Sequence, residues 1–166
     1  GNIVCGDATL LKWEEICPKN NNKLNYLISN PPYVGSSMQT KEQKSNMKKV
    51  FKNINSYKNL DYISCWFLLG AKYLSNTNSQ LSFVSTNSIT QGEQVIMLWP
   101  HIFNLGLEIG FAYKSFKWTN NARGNAGVTC VIIGLRACSK KEKTLFQDGL
   151  AHQAKNINAY LINTNS

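Results

Sequence analysis

Asn30, Pro31, Pro32 and Tyr33 stand at the end of an apolar run, in the stretch "YLISNPPYVG" (26–35). Asn30 offers a side-chain carbonyl as an acceptor. Pro31 and Pro32 lack an N–H, so the segment presents carbonyls without competing donors, in a conformation that the rings stiffen. Tyr33 supplies a flat face. Together the four suit a planar ring carrying an exocyclic amine, with two carbonyls accepting from the NH₂ and the aromatic side chain stacked on the ring. An aryl amine is a poor nucleophile because its lone pair is delocalised into the ring. Two acceptors on its N–H bonds favour a pyramidal nitrogen and stabilise the positive charge that develops there during attack. The plainer reading is a turn, since Asn-Pro and Pro-Pro punctuate loops. Placement directly after an apolar strand favours the chemical one.

Such a set needs a rigid scaffold. "NIVCGD" (2–7) reads as a short strand, "TLLKWEEIC" (9–17) as a helix broken by Pro18 and the asparagines that follow, and "LNYLIS" (24–29) as the strand delivering Asn30. Strand, helix, strand is the rhythm of a parallel α/β sheet. The segment 34–59 carries Lys41, Lys44, Lys48, Lys49, Lys52 and Lys58 and few apolar anchors, and is expected to be a long loop with one short, solvated helix; contact of Lys41 to Lys58 with a nucleic-acid backbone is the weaker reading. "LDYISCWFLLGAKYL" (60–74) is the clearest helix, with Leu60, Ile63, Phe67, Ala71 and Leu74 on one stripe. Further strands are expected at 80–86, 107–113 and 128–135, with a helix from Ser88 broken near Pro100. Between the last two strands lies a polar, glycine-bearing loop, "KSFKWTNNARGNAG" (114–127). From Ala137 the chain turns polar and reads as a linker. The expected division is therefore a catalytic part over 1–136 and a linker over 137–166.

Composition narrows the partners. A chain of 166 residues is enough for one domain with a core. It carries 18 Lys+Arg against 9 Asp+Glu, a net of +9, which favours an anionic partner, nucleic acid before membrane surface. A lysine- and asparagine-rich composition from an AT-rich genome explains the balance equally well. The 5 cysteines form no CxxC pair, and Cys5, Cys65 and Cys130 lie in apolar runs. They read as reduced, buried thiols, with no metal site and no disulfide. No apolar stretch is long enough to span a bilayer, so a cytoplasmic protein is expected.

Asn30, Pro31, Pro32 and Tyr33 after "YLIS" resemble the catalytic motif of the S-adenosylmethionine-dependent amino-methyltransferases that act on adenine N6 in DNA. "FVSTNSITQGEQV", "FKWTNNARGNAGVTCVIIGL" and "NINAYL" are similar to the methyltransferase region of the large MmeI-like restriction–modification enzymes, and the likeness runs from about Cys5 to Leu161. The resemblance implies a Rossmann-like class I methyltransferase sheet with flanking helices. It implies that Asn30 and the Pro31 carbonyl take the target amine and that Tyr33 stacks on the base. Asp7, in "CGDA", matches the acidic residue that accepts from the cofactor's adenine amine; its plainer role is to cap the helix that follows. The loop 114–127 matches the segment that closes over the other face of an extruded base. Trp118 is the preferred aromatic there, with Phe116 as the alternative, and a core residue at a strand end is the plainer role of either; Arg123 is the candidate to neutralise a phosphate, with a solvated arginine as the plainer reading.

The implied partners are double-stranded DNA with a flipped adenine and the nuclease and target-recognition domains of the same polypeptide. The glycine-rich loop and the second acidic residue of the family's cofactor site match nothing here. The expectation is therefore a sheet truncated at its N-terminal side, weak cofactor binding and no activity for these residues alone. Two other readings remain open: the same chemistry on a protein glutamine or an RNA base, and a non-catalytic DNA-binding module.

Overall fold

The protein, seen in a computed structural model, is described over residues 3–20, 23–118 and 127–165. Its sheet has six strands in the order β1-β2-β4-β3-β5-β6: β1 (Tyr26–Ser29), β2 (Gln80–Thr86), β3 (Leu107–Trp118), β4 (Val128–Ala137), β5 (Lys143–Gln147) and β6 (Leu150–Ala154). Four helices accompany it, α1 (Trp13–Ile16), α2 (Lys41–Val50), α3 (Ser64–Leu74) and α4 (Gly92–Phe103). A short antiparallel pair, β7 (Asn156–Ile157) and β8 (Asn163–Thr164), follows.

The α/β sheet with flanking helices is the expected class, but it is mixed rather than parallel. β1 and β2 are parallel, joined by a crossover through α2 and α3. β4 is inserted antiparallel between β2 and β3, because the hairpin connection from β3 returns the chain in the opposite direction.

α3 is buried almost all round, since the sheet covers one side and α2 and α4 the other. Phe67 meets Phe83 edge-on at 5.5 Å and Trp99 at 6.1 Å, and the Trp99 indole donates to the Ile89 carbonyl at 2.8 Å. Gly70 lets α3 lie this close, because a Cβ there would stand 2.6 Å from Leu81 Cδ2.

Several expectations are corrected. Residues 3–6 form no strand, and Ile3 and Val4 are exposed, because no other described strand lies beside them to complete a ladder. The helix expected over 9–17 is only the single turn of α1, too short to persist without a packed face, and it buries no side chain. The one short helix expected within 34–59 is present as α2, but it is amphipathic rather than solvated all round: Thr40 and Gln43 close a capping box, and Asn46, Met47 and Val50 face inward. α4 continues through Pro100 to Phe103, since Ile96, whose carbonyl loses its partner, lies on the solvent side.

The segment after Ala137 does not leave the domain. β5 pairs in parallel with β3, and β6 folds back antiparallel on β5 through Asp148 and Gly149, both at positive φ. Glu108 holds the addition in place. Its carboxylate accepts from Arg136 Nε at 2.8 Å, Lys143 Nζ at 3.0 Å and Ser139 Oγ at 3.1 Å.

Candidate active site

The chain reaches the mouth of the sheet at the carboxyl ends of two parallel strands. Ser29, the last residue of β1, pairs with Phe83 on β2. The end of β2, Thr86, pairs with Cys130 on β4, which in turn pairs with Phe116 on β3. Asn30 and Phe116 therefore lie toward one end of the sheet although the chain separates them widely.

Asn30 is exposed, and neither its side chain nor the Pro31 carbonyl is bonded to any described residue. Both acceptors are unpaired among the described residues. Pro31 itself is buried, which anchors the segment beside them. Tyr33 is half-buried against the core, next to Cys130. Burial raises its phenol above the ordinary tyrosine value, and the adjacent thiol adds to that. Burial likewise raises Cys130, and Tyr33 partly offsets it.

A stitched loop holds this segment from behind. The Tyr62 N–H donates to the Val34 carbonyl at 2.8 Å, and the Gln39 amide donates to the Leu60 carbonyl at 2.9 Å. Asp61 is fixed in turn from α4 and the end of β2. Its N–H donates to Gln94 Oε1 at 3.0 Å, and its carboxylate accepts from Ser88 Oγ at 2.6 Å. Ser88 and Gln94 belong to "FVSTNSITQGEQV", so these hydrogen bonds give a structural reason for part of that wording.

Phe116 and Trp118 lie two residues apart on the extension of β3, with ring centroids 6.3 Å apart. Phe116 is half-buried and Trp118 is 40% exposed, so Trp118 has the freer face. Arg123 lies outside the described residues.

Asp7 is exposed and already engaged. Oδ1 accepts from the Thr9 N–H at 2.8 Å and the Thr9 hydroxyl at 2.7 Å, and Oδ2 accepts from Asn46 Nδ2 at 2.8 Å. The first of these makes Asp7 a turn-former, with α1 beginning only at Trp13. The second joins it to a buried network, because Asn46 also donates to the Tyr62 hydroxyl at 3.3 Å. Each carboxylate oxygen has a second lone-pair site, so the group retains acceptor capacity toward solvent.

The link from Asn46 and Tyr62 to Asp7 is not legible in the sequence: Asn46 sits in a lysine-rich run, and Asp7 is 39 positions away. The thiols also need correction. Cys65 and Cys130 are buried as expected, whereas Cys5 is exposed. Burial pushes the Cys65 thiol up to about 12, with the Asp7 charge adding to it, which leaves the thiol unreactive.

A DNA-methyltransferase class follows from comparison with known proteins. Residues 1–147 match the family described as the MmeI DNA-methyltransferase domain, and the chain belongs to that family. It is 49% identical over 162 residues to DNA methyltransferase A of Bacillus subtilis (strain 168), covering 97% of this chain and 18% of that protein. It also matches the solved structure of the Type IIL restriction–modification enzyme MmeI in complex with DNA. There the TM-score is 0.87 at 41% identity, over 96% of this chain and 22% of that one. The chain thus spans about a fifth of the length of these relatives.

Proposed function

We propose that this domain transfers a methyl group from S-adenosylmethionine to the N6 amine of an adenine extruded from double-stranded DNA, within a restriction–modification protein. The observation that carries the reading is the pair of unpaired acceptors, the exposed Asn30 side chain and the Pro31 carbonyl, in the same short segment as the Tyr33 ring. The relatives, a DNA methyltransferase and a restriction–modification enzyme solved on DNA, support it.

S-adenosylmethionine, when bound, supplies an electrophilic methyl group. Asn30 and the Pro31 carbonyl accept from the two N–H bonds of the target amine, which directs its lone pair outward and stabilises the charge that builds on nitrogen. Tyr33 stacks on one face of the base, and Trp118 or Phe116 on the other. The mechanism calls for no dedicated base, and the amine proton leaves to water after transfer. Asp7 fits the adenine amine of the cofactor, because its carboxylate oxygens have acceptor sites to spare and the residue is exposed.

The deciding measurement is methyl transfer by the full-length gene product to duplex DNA, with the modified base identified after hydrolysis. N6-methyladenine is expected. Label on a protein glutamine, on RNA or on cytosine would refute the substrate, and DNA binding without any transfer would favour a non-catalytic module.

Asn46 acts here by holding Asp7. Asn46→Leu removes the bond to Oδ2, and the KM for S-adenosylmethionine is expected to rise about tenfold, or about 1.4 kcal/mol, with kcat at saturation little changed. An unaltered KM would remove Asp7 from the cofactor site or Asn46 from its support.

A further inference from the structure

The lysine-rich segment after the catalytic loop builds a groove. It has a volume of about 490 Å³ and lies among the turn at Ser36, helix α2 and the turn before α3. Lys44 and Lys48 from α2 and Lys58 from the turn line it, with Met47 and Tyr57 also in its wall. Tyr57 is held by stacking on Phe51 at 5.7 Å, with the ring planes 14° apart.

The lining contains no carboxylate, and none of the three lysines makes an ion pair among the described residues. Lys44 and Lys48, one helical turn apart, repel each other. Three unpaired cations converge on one concavity, so its electrostatic complement is an anion. An extended anion fits better than a small one, because the groove is open and all three lysines are exposed.

The place in the fold identifies which anion. Ser36 follows Tyr33 by three residues, so the groove begins within about 11 Å of the catalytic tyrosine, the reach of an extended chain of that length. Successive phosphates of one DNA strand advance by about 3.4 Å along the helix. A base held at Tyr33 would thus have its neighbouring phosphates within range of the groove.

Resting on the reading of this site as a DNA methyltransferase, we infer that the groove of Lys44, Lys48 and Lys58 holds the DNA backbone beside the extruded nucleotide, engaging phosphates without reading sequence.

The test uses the full-length gene product and a mixed-sequence duplex, with binding measured across a salt series. The triple variant Lys44→Gln, Lys48→Gln, Lys58→Gln is compared with Lys41→Gln, Lys49→Gln, Lys52→Gln, which removes equal charge from the same segment outside the groove. The slope of log K against log salt is expected to fall by about 0.9 for each groove lysine that engages a phosphate. The control triple should leave the slope near the wild-type value. An unchanged slope in the groove variant would overturn the inference, and so would an equal loss in both triples, which would reduce the effect to net charge.

Wild-type methyl transfer is measured alongside. Transfer with no change of slope removes the groove alone. A groove-specific loss of slope without transfer keeps the groove and removes the catalytic reading.

Discussion

Replacing Asn30 with alanine is expected to lower kcat for methyl transfer by about 10²–10³-fold, the cost of removing one aimed hydrogen-bonding group from a transition state. The side chain is exposed and bonded to no described residue, so the change leaves stability nearly unaltered, within about 0.5 kcal/mol. Duplex affinity should likewise be close to wild type, because the phosphate contacts that dominate it lie elsewhere. The loss therefore reports chemistry rather than folding or docking. Asn30→Asp is the companion variant: it keeps an acceptor at the same reach and should retain more activity than the alanine variant. Methylation by Asn30→Ala at the wild-type rate would take the motif out of the mechanism.

A second large effect is expected far from the mouth. Glu108→Ala should destabilise the domain by about 1–3 kcal/mol, the cost of leaving the buried Lys143 ammonium and the half-buried Arg136 without their carboxylate. Arg136 would lose its carboxylate at 2.8 Å, and Lys143, only 6% exposed, would be left with a single carbonyl contact to Lys155. Burial pushes the Glu108 carboxyl up, but hydrogen bonds from Arg136 and Lys143 outweigh it, and its value lies below the ordinary glutamate range. A depressed carboxylate contributes stability that is present above its unfolded value and lost as pH falls through its folded one. Wild-type protein should therefore weaken on acidification through and below the ordinary glutamate range, and the Glu108→Ala variant should lack that component. Urea midpoints that coincide for the two proteins at neutral pH would show the cluster to be energetically idle.

The strands that this cluster secures carry their own local signal. "QDG" (147–149) between two alternating segments is a hairpin signal of known mechanism, because Asp-Gly accepts the positive φ that the turn requires. The surrounding polar composition masks that signal and gives the whole of 137–166 the look of a linker. The lysines of α2 are solvated, as their type suggests, but they mask the other face of the helix: Met47 and Val50 fall on it with Asn46 beside them, and the capping box at Thr40 announces where it begins.

The apolar runs and their breakers determined the order of most elements, and the four letters after "YLIS" determined the chemistry on offer. Both are local properties, set by side-chain period and by what proline and asparagine do to a backbone. What joins distant residues was decided only by tertiary structure. β4 enters between β2 and β3, and that insertion puts Cys130 between Thr86 and Phe116 and beside Tyr33. Asp7 meets Asn46 because the turn at Thr9 and helix α2 pack together, and Lys58 joins Lys44 and Lys48 because the chain doubles back before α3. Hydrogen bonds and charges act through space, and the spacing of residues along a chain carries no record of which face will meet which until the core has closed.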